Sequence, residues 1–266
     1  VAITSATLRD EVITTPGTSA DSEAANDTTP KTGTLPADWL SASTLTGAAH
    51  LPHPALMSHH NSPFDYARQS RIFVVNDLDR DRPDGVAAAM AGLISAADGG
   101  ALGLFTSIQR LRATWPALAP RCAELDIPLY AQHVDRMNLQ TLLQLFREET
   151  RSVLLGTDAV RDGVDVPGNA LQMMIYDRVP WPRPDMLFKA RAAWQGRTEW
   201  TERVTRMKLR QAFGRLIRRS DDKGVFVMLD SRLPTRLTSA FPADVEVVRA
   251  GLSEVISESR KFLKSE

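Results

Sequence analysis

From Arg71 onward the sequence alternates short, nearly continuous apolar runs with longer stretches of helical periodicity. Apolar runs that do not alternate with polar residues suit strands covered on both faces. Strands interleaved with helices suit parallel β-α-β units in one sheet. Strands are expected at Arg71–Val75, Ala101–Phe105, Leu129–Ala131, Ser152–Gly156, Leu171–Tyr176 and Gly224–Asp230. Between them, Ala-rich Val86–Ala97, Ile108–Cys122, the core stripe Leu139, Leu142, Leu143 and Phe146, and basic Trp200–Arg219 read as helices. Asp98-Gly99-Gly100 should stop the first, and Pro116 should kink or break the second. Ala243–Leu263 reads as one closing helix. The fold class is therefore α/β with a mainly parallel sheet, and no internal repeat is present.

The start of the chain has a different character. Val1–Thr4 is a short, apolar, partly β-branched run that suggests a strand, and Ser5–Leu8 is a polar turn. Thr, Ser, Ala and Pro then dominate from Ile13 to about Gly47, and up to Leu35 there is no apolar periodicity. Residues 9–60 are expected to be loop and linker, with Trp39, Leu40 and Leu45 anchoring a short helix. The folded domain is expected over residues 61–266, entered through a turn whose aromatic anchors are Phe64 and Tyr66.

The 266 residues carry 32 Lys/Arg and 32 Asp/Glu, so net charge makes no case for nucleic acid or a membrane surface. Arg178–Arg236 alone, however, holds 15 Lys/Arg against 6 Asp/Glu, an excess of nine that the rest of the chain cancels. A single cysteine, Cys122, excludes an internal disulfide, a Cys-based zinc finger and a four-Cys iron–sulfur site within this chain, and reads as a small buried group. No apolar run approaches the roughly 18–20 residues of a membrane-crossing helix. Nor is there a charged-then-apolar leader, so with Val1 first the sequence reads as a piece of a longer cytoplasmic protein without a membrane partner. His50, His53, His59 and His60 have weak metal spacing and read as surface or capping residues, so no metal site is expected.

Four places in the sequence could carry chemistry. In Gln211–Arg219 a continuous helix would put Gln211, Arg215 and Arg218 on one face, with Gly214 admitting a close neighbour. Two forked guanidinium groups suit a phosphate, and the rim formed by strand C-terminal ends is where they would stand; a solvated basic helix is the plainer alternative. Gly156–Gly168 follows a buried strand, where α/β folds place ligand loops. There Thr157 offers a hydroxyl, Gly163 an approachable backbone, and Asp165 an acceptor for a ribose hydroxyl or an arginine, unless the stretch is an ordinary capped loop. Thr106, Ser107 and Gln109 follow another strand end, where a helix N-terminus holds a phosphate or the hydroxyls merely cap. Trp181, flanked by prolines, is either a base-stacking surface or a packing anchor.

In order and spacing these segments resemble the second RecA-like motor domain of superfamily 2 helicases, in particular the DinG/XPD family. Thr4–Leu8 looks like motif III, Ser62–Tyr66 like the family's SPFDY landmark, and Leu104–Ser107 like motif IV. Gly156–Gly168 looks like motif V, Val179–Pro184 like the PFPxP segment, Gln211–Arg218 like motif VI (QxxGRxxR), and Asp230-Ser231-Arg232 like its DxR sequel. Departures are Arg161 and Asp162 where motif V usually has an aromatic and Glu, and Trp181 where Phe is commoner.

The resemblance implies a three-layer RecA-like (P-loop NTPase-type) fold, with residues 1–8 as the end of a missing first motor domain. It implies an ATP-dependent DNA helicase that couples hydrolysis to 5′→3′ translocation on single-stranded DNA and to duplex unwinding. No GxxxxGK[ST] loop and no acidic box are present, so ATP and Mg²⁺ would be held mainly by the absent domain, leaving this piece inactive alone. Arg215, Arg218 and Gln211 would act on the triphosphate, with Gly163, Asp165 and Gly214 lining the nucleotide side. Thr106, Ser107, Thr157, Arg161 and Trp181 would contact nucleic acid. An iron–sulfur cluster is possible in the parent protein. The expected partners are single-stranded DNA, duplex junctions and the first motor domain, with the protein monomeric. The alternatives are a RecA-like binding module that never hydrolyses ATP, and a motor of another superfamily 2 branch acting on RNA.

Overall fold

A computed structural model describes residues 39–53, 55–60, 62–166 and 168–265. The expected strand at Val1–Thr4 and the loop over residues 13–35 lie outside the described residues. The chain divides into two units after Ser62. In the first, helix α1 (Leu40–Thr46) ends at Gly47, whose φ of 78° gives the left-handed cap that glycine adopts without strain. A short 3₁₀ turn at Ala48–His50 follows.

The second unit, Pro63–Glu266, is a three-layer α/β domain. Seven strands, β1 (Ser70–Val75), β2 (Ala101–Leu104), β3 (Leu129–Ala131), β4 (Val153–Gly156), β5 (Met173–Tyr176), β6 (Gly224–Met228) and β7 (Val247–Ala250), form one sheet. Their order is β3-β4-β2-β5-β6-β1-β7, and every pairing is parallel. The side-chain period of two splits each strand between two cores. Ile72, Leu102, Met174 and Phe226 face one, under α5 (Leu139–Glu148), α6 (Asp158–Gly163) and α8 (Arg197–Phe213). Phe73, Ala101, Met173 and Val225 face the other, under α3 (Pro83–Ala96), α4 (Ile108–Glu124) and α9 (Leu252–Lys264). Residues buried on both faces explain why the strands read as unbroken apolar runs. Cys122 is buried in the second core, and that burial pushes its thiol up to about 11.

The SPFDY turn has a defined structural use. Asp65 accepts the Arg68 N–H at 3.1 Å and caps the short helix α2 (Tyr66–Gln69) that leads into β1. Phe64 and Tyr66 start an aromatic chain that continues through Phe213, Phe241, Phe226 and Tyr176, with successive ring centroids 5.0–6.0 Å apart. Offset and edge contacts of this kind add to burial.

Four element expectations need correction. The α4 helix runs through Pro116 and Pro120 without a break, because Leu111, Thr114, Leu118 and Cys122 bury one continuous face. Val247–Ala250 is an edge strand beside β1, not the start of the closing helix, and the helix begins only after Gly251, where Asp77 accepts the Leu252 N–H at 2.8 Å. The chain after Trp181 contains an additional helix, α7 (Met186–Gln195), capped by Asp185 and separated from α8 by Gly196 at φ 90°. Finally, α8 stops at Phe213 instead of reaching Arg219. Leu216 and Ile217 turn into the core beyond it, and the Asp222 carboxylate holds the turn by accepting the N–H groups of Arg218 (2.7 Å) and Arg219 (2.8 Å).

Candidate functional site

The early end of α8 changes the geometry of the arginine pair. Gln211 stands on the last helical turn, Gly214 is the C-cap, and Arg215 and Arg218 follow in the turn that leads to the N-terminal end of β6. They do not share one helical face with Gln211, and they do not stand on the rim of strand C-terminal ends. Topology decides this: a helix that returns from the end of β5 must deliver its C-terminus to the start of β6. The two arginines lie instead on the flank of the sheet, where the segment after α6 passes on its way to β5.

On that flank the motif V-like and motif VI-like segments meet. The Nη2 of Arg215 donates to the Asp162 carbonyl at 3.0 Å, and Arg218 Nη2 lies 3.3 Å from Asp165 Oδ1. Asp165 is 72% exposed. Burial, and then the charge of Arg218, lower the Arg215 guanidinium below its ordinary value, with Asp165 and Asp162 pulling it back. Two crowded cations beside exposed acceptors form a place where an anion is favoured. Gly163 and Gly214 contribute through packing: a Cβ at Gly163 would come within 3.0 Å of Leu143, and one at Gly214 within 3.3 Å of the Arg210 carbonyl.

The helix α6 that carries these acceptors is anchored by ion pairs. Arg161 is only 6% exposed and donates to Asp158 (2.8 Å) and to Asp162 (3.0 and 2.8 Å). Burial by itself would lower this guanidinium, but Tyr176, Asp158 and Asp162 raise it above the ordinary arginine value. The fork of Arg161, a nucleic-acid candidate in the sequence, is turned inward and engaged by the Asp158 and Asp162 carboxylates. Lys208 of α8 pairs with the same Asp158 at 2.7 Å, tying α6 to α8. Gly156 is needed because Val160 of α6 packs directly over the end of β4, where a Cβ would collide with it.

The remaining nucleic-acid candidates gather at the other location, the C-terminal ends of β2, β4 and β5. Ser107 caps α4, its Oγ accepting the Arg110 N–H at 3.2 Å. Thr157 follows β4, with both its N–H and its hydroxyl 3.1 Å from Gln132 Oε1, so the hydroxyl oxygen still has lone pairs to accept with. Trp181, in the loop after β5, is 41% exposed, so its ring is no core anchor. Arg183 of that loop reaches the Thr106 carbonyl at 3.4 Å and brings the loop beside the end of β2.

Sequence reasoning missed what braces this rim. Asp177, directly after β5, is fully buried, pairs with Arg110, and accepts the Thr106 N–H at 3.1 Å. Burial raises its carboxyl above the usual range, while Arg110 and the Thr106 amide oppose that shift. Asp230, first residue of the DxR sequel, is also buried, pairs with Arg80, and accepts the Val179 N–H at 3.2 Å. An acidic residue directly after an apolar strand was the available signal, but a sequence does not show which arginine will face it. The histidines at 50, 53, 59 and 60 are exposed, and among the described residues no group of three His, Cys, Asp or Glu is placed to hold a metal.

The chain is similar in sequence and fold to known proteins. The chain is similar to "ATP-dependent helicase DinG" of Mycobacterium tuberculosis (strain ATCC 25618 / H37Rv), with 38% identity over 186 residues covering 65% of this chain and 27% of that protein. It is similar to "ATP-dependent DNA helicase YoaA" of Escherichia coli (strain K12), with 33% identity over 186 residues covering 66% and 28%. The chain thus spans little more than a quarter of these relatives' length. In fold it resembles Saccharomyces cerevisiae Dbp5 bound to RNA and ADP BeF3, with TM-score 0.58, 13% identity, and coverage of 84% of this chain and 53% of that one. The family profile described as "Helicase C-terminal domain" matches residues 90–247, which run from α3 to β7 and include the strand-end rim and both arginine-flank segments. A parallel RecA-like sheet carrying those segments in that order places this chain in the helicase C-terminal domain family, and it belongs to that family.

Proposed function

We propose that the chain is the second motor domain of an ATP-dependent DNA helicase of the DinG type. The observation that carries this reading is the meeting of motif VI with motif V on the sheet flank: Arg215 on the Asp162 carbonyl and Arg218 on Asp165. The relatives that match over 65–66% of the chain are named as helicases, which supports the same reading. ATP, with its Mg²⁺, is held chiefly by a first motor domain, which supplies the phosphate-cradling loop. Arg215 and Arg218 fit the triphosphate because they are forked, clustered and partly exposed, and an anion relieves their mutual repulsion. Their part is to exchange the Asp162 carbonyl and Asp165 for phosphate oxygens when the domains close. Gln211 reads that closure, and Asp165 and Gly163 couple the nucleotide to DNA. An arginine supplied in this way is worth about 10³–10⁵ in rate in related nucleotide hydrolases.

Single-stranded DNA lies across the strand-end rim, its backbone near Thr106, Ser107 and Thr157 and a base on Trp181. Alternating closure and opening moves the rim along the strand and separates the duplex at a junction, in the 5′→3′ direction by family resemblance. The test is ATP hydrolysis by this domain joined to its first motor domain, with and without single-stranded DNA and with RNA as control. Stimulation by DNA, with DNA affinity falling steeply as salt rises, is the expected result. Hydrolysis indifferent to DNA, or binding insensitive to salt, would end the proposal, and stimulation by RNA alone would move the chain to another branch.

A further inference from the structure

The rim holds a buried ion pair that the proposed mechanism does not use. Register brings it there: Leu104 of β2 pairs with Tyr176 of β5, and the next N–H, that of Asp177, donates to the Leu104 carbonyl at 3.0 Å. The Asp177 carboxylate thus emerges beside the end of β2. One oxygen accepts the Thr106 N–H at 3.1 Å and the other takes Arg110 Nε. Thr106 precedes Ser107, and Arg110 lies one turn beyond it, so a single carboxylate clasps both sides of the residue that caps α4. The second branch of Arg110 donates to the Arg80 carbonyl at 2.9 Å.

A buried ion pair is a poor way to gain stability, since apolar residues of similar volume often do as well or better. Holding donors and acceptors in one orientation is a better use of it. The position also runs against simple electrostatics, because a carboxylate near a DNA backbone should repel it. We propose that Asp177 and Arg110 are a positioning pair that sets the end of β2 and the first turn of α4 for a DNA phosphate held by Ser107 and Thr106. This rests on the reading of that rim as the DNA surface.

The test is binding of a fluorescently labelled oligothymidylate by the chain, with denaturant unfolding measured alongside. Asp177→Asn should weaken binding roughly tenfold, the scale of a lost charge-assisted hydrogen bond. Loss of a negative charge by itself would tighten it, so unchanged or tighter binding overturns the proposal. The paired change Asp177→Leu with Arg110→Met keeps net charge and removes the buried pair whole. It should remain folded, losing only the hydrogen bonds to the Thr106 N–H and the Arg80 carbonyl, bind DNA about as weakly as Asp177→Asn, and lose nothing more when Ser107→Ala is added. Parental affinity in that folded double variant, or an undiminished further loss from Ser107→Ala, overturns it. Unfolding of both variants would make the pair a plain structural brace and also end the proposal. If Ser107→Ala and Thr106→Val in the otherwise unchanged chain leave affinity intact, the DNA reading of the rim itself has failed, and the pair positions nothing.

Discussion

The strand-end rim and the arginine flank are built to different standards of rigidity. On the rim, Asp177 and Asp230 are buried, and each joins an arginine to a backbone N–H from a neighbouring loop. On the flank, Arg218 meets a carboxylate that is 72% exposed, and Arg215 meets a carbonyl of the exposed residue Asp162. Breaking a buried pair costs about 3–5 kcal/mol, whereas an exposed pair is worth about 0–1 kcal/mol. The rim is thus a preformed surface. The flank can trade its present acceptors for others at little cost, as the proposed transfer of an arginine to a phosphate requires.

The largest effect should come from the flank, on rate and not on fold. In the domain joined to its first motor domain, Arg218→Ala should reduce DNA-stimulated ATP hydrolysis by about 10³–10⁵. Nucleotide-free DNA affinity should stay put, and near-normal turnover would remove the arginine assignment. Next is the rim's hold on the fold. Asp230→Ala leaves the half-buried Arg80 and the Val179 N–H without their shared buried acceptor and should lower unfolding free energy by about 3 kcal/mol in urea titration. A loss below about 1 kcal/mol would mean the loops do not depend on that pair. Smaller again, Trp181→Ala should weaken single-stranded DNA binding by about 1–3 kcal/mol without moving the unfolding midpoint, because the ring is already exposed. Unaltered affinity would show that no base stacks there. The smallest change is expected from Asp165→Ala, which should shift stability by less than about 0.5 kcal/mol. If it destabilised the domain as much as Asp230→Ala, the contrast between rim and flank would collapse.

Much of the sheet was legible because a strand buried on both faces leaves few polar residues in its run. Six of the seven strands were visible as such, from Arg71–Val75 to Gly224–Asp230. The seventh, Val247–Ala250, was hidden because Arg249 interrupts its apolar run and the segment lies directly before helix α9, so its mixed pattern reads equally well as helix. The overlong α8 arose from periodicity alone: Leu216 and Ile217 continue a helical pattern, but they reach the core better by turning, with Asp222 satisfying the freed N–H groups. The inward turn of Arg161 was hidden for a related reason. A charged residue in a polar loop looks available until Asp158 and Asp162 close around it.

The sequence by itself determined the layer architecture, the parallel order implied by alternating elements, and which segments carry chemical groups, because burial and periodicity are local properties of residue type. Only the tertiary structure decided where those groups point. It sent Arg215 and Arg218 to the flank, turned Arg161 inward, and set Asp177 against Thr106 and Arg110. Those outcomes depend on strand register and on where a helix must end to reach the next strand, and such long-range constraints leave no trace in the spacing of neighbouring residues.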